Sequence, residues 1–143
     1  MTNHLERTYV ALGSNLGNRE AHLAHGRLRL STLRRTHLVA ASSIEETAPL
    51  GPVPQGPYLN QMVLLVTALE PVDLLQQCRA IEVEAGRERR ERWGPRTLDL
   101  DIVRFGDRTI TTAELTVPHP ELPNRDFWQR EIVELDALAP AHV

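Results

Sequence analysis

Thr97-Leu98-Asp99-Leu100-Asp101-Ile102-Val103-Arg104-Phe105 reads as a β-strand with two unlike faces. Side chains two apart on a strand share a face, so Leu98, Leu100 and Ile102 belong to a core while Asp99 and Asp101 project together from the opposite side. Like charges about 7 Å apart on one pleat repel and cost stability unless something cationic lies between them. Mg²⁺ suits such a pair, because it takes one or two carboxylates and completes its shell with substrate phosphates and water. Two such ions about 3.5–4 Å apart form a clamp for phosphoryl transfer. The same pair is also compatible with a solvated strand face on which each Asp meets a nearby Arg, for which Arg96 is placed.

Outward from this strand, the chain alternates in a regular order. A charged segment, Arg87–Pro95 (RERRERWGP), leads into it and ends in a Gly-Pro turn. Before that, Pro71 sits at the first turn of a helix running to about Ala85 and stopped by Gly86, with Leu74, Leu75, Cys78 and Ile81 as its buried face. Asn60–Leu69, rich in Val and Leu, reads as a mostly buried strand. It follows a Pro/Gly loop, Ala48–Pro57, and His37–Glu46 before the loop reads as another strand. At the start, Thr8–Leu12 is β-prone and gives way to the polar turn GSNLGN. There Asn18 caps a helix to about Leu33 with Leu23, Leu30 and Leu33 on its apolar stripe. After the aspartate strand, Gly106-Asp107 makes a turn and the tail from Thr109 holds short elements. The order β-α-β-β-α-β predicts an α+β sandwich of ferredoxin-like type, an antiparallel sheet with helices on one face and short C-terminal additions. Residues 1–143 are expected to form one domain.

Composition narrows the function classes. The 143 residues carry a net charge of −3, which disfavours a general nucleic-acid surface. All 16 basic residues are Arg, a bias that genome composition explains, and it excludes a Lys-dependent P-loop or Schiff base. Phosphate must then be held by Arg, backbone N–H groups or metal. The single Cys78 cannot form an internal disulfide. The N-terminal MTNHLERTYVALGSN lacks the apolar run of a signal peptide, and no stretch approaches the roughly 20 apolar residues needed to span a bilayer. A cytoplasmic chain without a membrane or nucleic-acid partner is expected.

Several residues near the aspartates can carry chemistry. Arg87–Arg92 has four positive and two negative charges, a pattern also met in solvated helix ends. The turn WGPR delivers Arg96 onto the aspartate strand, where a guanidinium can hold a triphosphate bidentately. Trp93 is either a packing residue or a wall for a flat ligand. His119, fixed between Pro118 and Pro120, can donate to a phosphate oxygen or serve a structural role. The Asn60 amide offers the donors and acceptor that read a heterocycle edge, and it equally suits a turn cap.

Together these blocks closely resemble the 6-hydroxymethyl-7,8-dihydropterin pyrophosphokinase family of folate biosynthesis. The resemblance covers nearly the whole chain through ALGSNLGN (Ala11–Asn18), TAPLG (Thr47–Gly51), YLN (Tyr58–Asn60), ERWGPRTLDLDI (Glu91–Ile102) and VPHP with NR-x-F (Val117–Pro120, Asn124–Phe127). It implies the ferredoxin-like fold and transfer of the β,γ-pyrophosphoryl group of ATP to the pterin hydroxymethyl oxygen, with release of AMP. It implies two Mg²⁺ ions on Asp99 and Asp101, and ATP phosphates on Arg87 and Arg96. Glu82, Trp93, Ile102, Thr116, His119 and Arg125 would also line the nucleotide site. Tyr58 and Phe127 would sandwich the pterin, with Asn60, Thr47, Leu50, Trp93 and Asp99 around it. A monomer acting on two small-molecule substrates is the corresponding expectation. The segment from Gly86 to Trp93 is one residue shorter than in well-known members, Pro120 replaces an aromatic residue found in some relatives, and Glu114 stands where some carry Arg. A non-catalytic small-molecule-binding domain of the same fold is the main competing reading, and it has no need of paired carboxylates beside an Arg loop. A metal-dependent nuclease is the other, and the acidic balance weighs against it.

Overall fold

A computed structural model describes residues 4–49, 51–52, 54–86 and 97–140. Its elements run β1 (Glu6–Ser14), α1 (Arg19–Ser31), β2 (Thr36–Ala41), β3 (Glu45–Thr47), β4 (Tyr58–Thr67), α2 (Pro71–Glu84), β5 (Asp99–Phe105), β6 (Ile110–Thr111), β7 (Thr116–Val117) and α3 (Asp126–Leu138). The large sheet has the order β2-β4-β1-β5 with every neighbour antiparallel, and β3 continues along β4. This is the α+β arrangement that the element order predicts. The Asn18 side chain caps α1 by accepting the Ala21 N–H at 3.1 Å, and Pro71 opens α2, whose ring needs no N–H at that position.

Two cores lie against the two faces of the sheet. On one face, Val10, Leu12, Val63, Leu65, Leu100, Ile102 and Phe105 pack with Leu23 and Leu30 of α1 and Leu74, Cys78 and Ile81 of α2. The helix α1 approaches closely at Gly26, where a Cβ would fall 2.9 Å from Leu12 Cδ2. The opposite face carries Tyr9, Ala11, Met62, Leu64 and Val103 beneath Trp128, Ile132 and Leu135 of α3. The sequence reading put helices on one face only, with short elements in the tail. The difference has a plain cause: Trp128, Ile132 and Leu135 recur at helical spacing, so residues 126–138 bury an apolar stripe that only the second sheet face can receive.

The expected strand His37–Glu46 is divided. Ser42 interrupts it: its N–H donates to Met62 O and its hydroxyl accepts the Met62 N–H, both at 2.9 Å, while Gln61 Nε2 donates to its carbonyl. Pairing resumes at Glu45 opposite Asn60 with one residue in excess, as in a bulge. The corner thus formed presents Ser43 to α3, where Glu134 accepts both its N–H and its hydroxyl at 2.9 Å.

Candidate active site

Leu98, Leu100 and Ile102 are fully buried in the α1/α2 core, and Asp99 and Asp101 alternate with them as half-buried residues. The direction of the pair is fixed by register. Asp101 lies opposite Ala11, which belongs to the α3-side core, and Asp99 lies opposite Gly13. Gly13 is in turn opposite Asn60 on β4. One rung therefore reads Asn60, Gly13, Asp99, with no side chain in its middle. A Cβ at Gly13 would sit 3.4 Å from both Asn60 Oδ1 and Tyr58 Cδ1, so the open floor is bounded by those two groups. Gly13 lies inside ALGSNLGN, but the sequence alone gave no reason to assign it a place in the site.

The strand carrying the aspartates is braced from below by α2. Glu82 is buried, with Oε2 accepting the Leu100 N–H at 2.8 Å and Oε1 facing Arg79 at 3.2 Å. It thereby ties α2 to the backbone between the two aspartates. Ile102 turns its side chain into the core on the face away from them, so a ligand can meet only its backbone.

His119 follows the cis Val117–Pro118 peptide, and its own N–H donates to Val103 O at 2.9 Å, which docks this segment on β5. Its Nδ1 accepts the Glu121 N–H at 3.0 Å, so the proton of the neutral ring resides on Nε2, which stands 3.8 Å from Asp101 Oδ1. Burial lowers the imidazole pKa below its ordinary value, against the opposing pull of Asp101 and with help from Arg125. The ring meets Trp128 edge-on with centroids 4.9 Å apart, and the Arg125 guanidinium lies over the same indole at 4.4 Å. Trp128 is thus a shared platform for two cationic or polar groups, a part that sequence reasoning missed. Its spacing of three from Arg125 was the available signal. Among the described residues the buried Nε of Arg125 has no hydrogen-bond partner. Thr116 starts β7, whose partner strand is β6 and which touches β5.

Tyr58 and Phe127 are half-buried at the start of β4 and the first turn of α3. Phe127 packs on the α3-side core with its ring centroid 6.3 Å from that of Trp128. Asn60 Nδ2 donates to Thr47 Oγ1 at 2.6 Å, which orients the amide. The loop between β3 and β4 is tied to the turn after β1 by Asn15, whose amide donates to Gln55 Oε1 at 2.7 Å and Gly56 O at 3.0 Å. The described geometry thus gathers Asp99, Asp101, Asn60 and Tyr58 on one sheet face, with His119, Arg125 and Phe127 delivered by the segment leading into α3. Leu50, Arg87, Trp93 and Arg96 lie outside the described residues, as do Arg89 and Arg90.

Two hard carboxylates on one strand, beside a glycine floor, fit a divalent cation that takes its remaining ligands from a substrate. Among the described residues no set of three or more His, Cys, Asp or Glu side chains forms a closed metal cage. No described helix is long and apolar enough to cross a membrane.

The family model for 7,8-dihydro-6-hydroxymethylpterin-pyrophosphokinase matches residues 9–137. The chain is 46% identical over 120 residues to a 2-amino-4-hydroxy-6-hydroxymethyldihydropteridine pyrophosphokinase of Haemophilus influenzae, covering 83% of this chain and 74% of that one. Enzymes of the same description from Bacillus subtilis and Pseudomonas aeruginosa are 42% identical over 127 residues and 44% over 131. Those two alignments cover 89% and 92% of this chain, and 76% and 81% of the relatives. With the match running from the middle of β1 to the last turn of α3, the chain belongs to the 7,8-dihydro-6-hydroxymethylpterin-pyrophosphokinase family.

Proposed function

We propose that the chain transfers the β,γ-pyrophosphoryl group of ATP to the hydroxymethyl oxygen of 6-hydroxymethyl-7,8-dihydropterin and releases AMP, a step of folate biosynthesis. The observation that carries this reading is the single face on which Asp99 and Asp101 adjoin the Asn60–Gly13 floor. A flat heterocycle on that floor, between Tyr58 and Phe127, would present its hydroxymethyl group beside the carboxylates. With Nδ2 engaged by Thr47, Asn60 Oδ1 would accept from the heterocycle edge, and Leu50 and Trp93 would complete the surround.

Asp99 and Asp101 would hold two Mg²⁺ ions, which supply charge neutralisation and ease deprotonation of the alcohol. Arg87 and Arg96 would grip the ATP phosphates bidentately. His119, neutral with its proton on Nε2, would donate to a phosphate oxygen without competing for the cations. Arg125 would reach the nucleotide from its indole platform. Thr116 and the Ile102 backbone would line the adenosine end, and Glu82 would act from beneath by holding β5. Phosphoryl transfer depends mainly on alignment and charge stabilisation, which this set offers without a strong general base. The protein would work in the cytoplasm as a monomer.

The deciding assay supplies ATP, Mg²⁺ and 6-hydroxymethyl-7,8-dihydropterin and follows the nucleotide product. AMP with a pterin diphosphate is expected. ADP would point to a simple kinase, and no turnover would favour a binding domain of the same fold.

A further inference from the structure

Glu131 is buried on α3, only 2% exposed, and among the described residues neither carboxyl oxygen has a hydrogen-bond partner. It lies four residues after Phe127, hence one helical turn along the same face. The polar contacts around it are already taken. Arg130 donates to Glu45 at 2.8 Å, and Glu134 accepts both bonds from Ser43. Among the described residues the charged groups facing Glu131 are Glu45 from β3 and Arg130 and Glu134 from its own helix. Strand β4 carries no charged side chain and β2 carries only His37. An ionised Glu131 would therefore meet two like charges and one cation that Glu45 already engages. An unpaired buried carboxylate is among the costliest groups a fold can hold, so the neutral acid is the form this packing accepts.

We propose that Glu131 is a positioning residue for the pterin wall: as the neutral acid it seats α3 on the sheet and so fixes Phe127, and its ionisation on the alkaline side loosens that helix. The link to the pterin rests on the function proposed above, whereas the seating of α3 does not. Burial pushes the Glu131 carboxyl up to about 8, Glu45 adding to the rise, Arg130 opposing it and Glu134 adding further. In the unfolded chain the same group ionises near the ordinary value of 4.5. The folded state thus holds a proton that the unfolded state releases. Stability relative to a neutral side chain is unaffected below the ordinary value, falls as pH rises toward about 8, and levels off above it.

The test uses the full chain and Glu131→Gln. Carboxyl ¹³C NMR gives the ionisation midpoint, and amide exchange compares protection in α3 with that in α1. Steady-state kinetics give KM for the pterin and for ATP across pH 7 to 9. We expect a midpoint near 8, as burial dictates. Relative α3 protection should fall about tenfold over that pH range, and pterin KM should rise about fivefold with ATP KM nearly constant. Glu131→Gln should flatten both trends. A midpoint in the ordinary Glu range, or α3 protection that tracks α1 throughout, would overturn the proposal. Loosening of α3 with constant pterin KM would overturn the link to Phe127. Absence of any turnover at pH 7 would instead defeat the proposed reaction, with the exchange data still deciding the seating of α3. The first two measurements use the wild-type chain, so they decide the matter even if the variant fails to fold.

Discussion

Asp99 and Asp101 work as a pair because Leu98, Leu100 and Ile102 commit the other face of β5 to the core. The strand cannot rotate one carboxylate away without exposing that apolar row. Asp101→Asn should keep the circular dichroism of the parent and reduce turnover on the order of a thousandfold, ~4 kcal/mol of barrier. Turnover within tenfold of wild type would remove Asp101 from the metal role. Phe127→Ala should weaken pterin binding more than ATP binding, measured as separate dissociation constants. Equal losses would count against the aromatic sandwich. Gly13 tests the floor between them. Gly13→Val keeps a good strand former but places methyl groups toward Asn60 and Tyr58, so pterin KM should rise roughly tenfold. ATP affinity should hardly move, and a change confined to ATP would show that the open floor serves the nucleotide instead.

At the scale of elements, the contact between α2 and β5 matters most for the site. Glu82→Ala leaves the Leu100 N–H without its acceptor inside the core, at a cost of about 1–3 kcal/mol in urea unfolding. Turnover should fall as well, because the lost bond lies between the two aspartates; unchanged unfolding would deny Glu82 its bracing role. Element order and most boundaries were legible in the chain, since Asn18, Pro71 and Gly86 punctuate the helices and alternation marks β5. The division of His37–Glu46 was not. That run holds no Gly or Pro to mark a break; the interruption arises because Ser42 finds its partners on the neighbouring strand. The helix α3 carried a readable apolar stripe, yet a tail after several turns invites a reading as short pieces. What makes it a long helix is the second sheet face waiting to be covered.

For the molecule as a whole, one sheet serves two cores, so each core is anchored in the same strands. At pH 7, far-UV circular dichroism and tryptophan fluorescence should therefore report one coincident unfolding transition. Two separated midpoints at that pH would show that α3 melts on its own. Trp128→Ala, removing the largest side chain of the α3 side, should lower stability by about 3–5 kcal/mol within that same transition.

By itself the sequence determined the β-α-β-β-α-β order, the shared face of Asp99 and Asp101, and the blocks that carry the family resemblance. These follow from local periodicity and punctuation, which need no distant partner. Only the tertiary structure decided what stands around the aspartates: Gly13 as the empty middle of a rung, Trp128 beneath His119 and Arg125, and Glu131 buried one turn from Phe127. Those placements depend on register between strands far apart in the chain and on which sheet face a helix covers. Neither is encoded in any short window of residues.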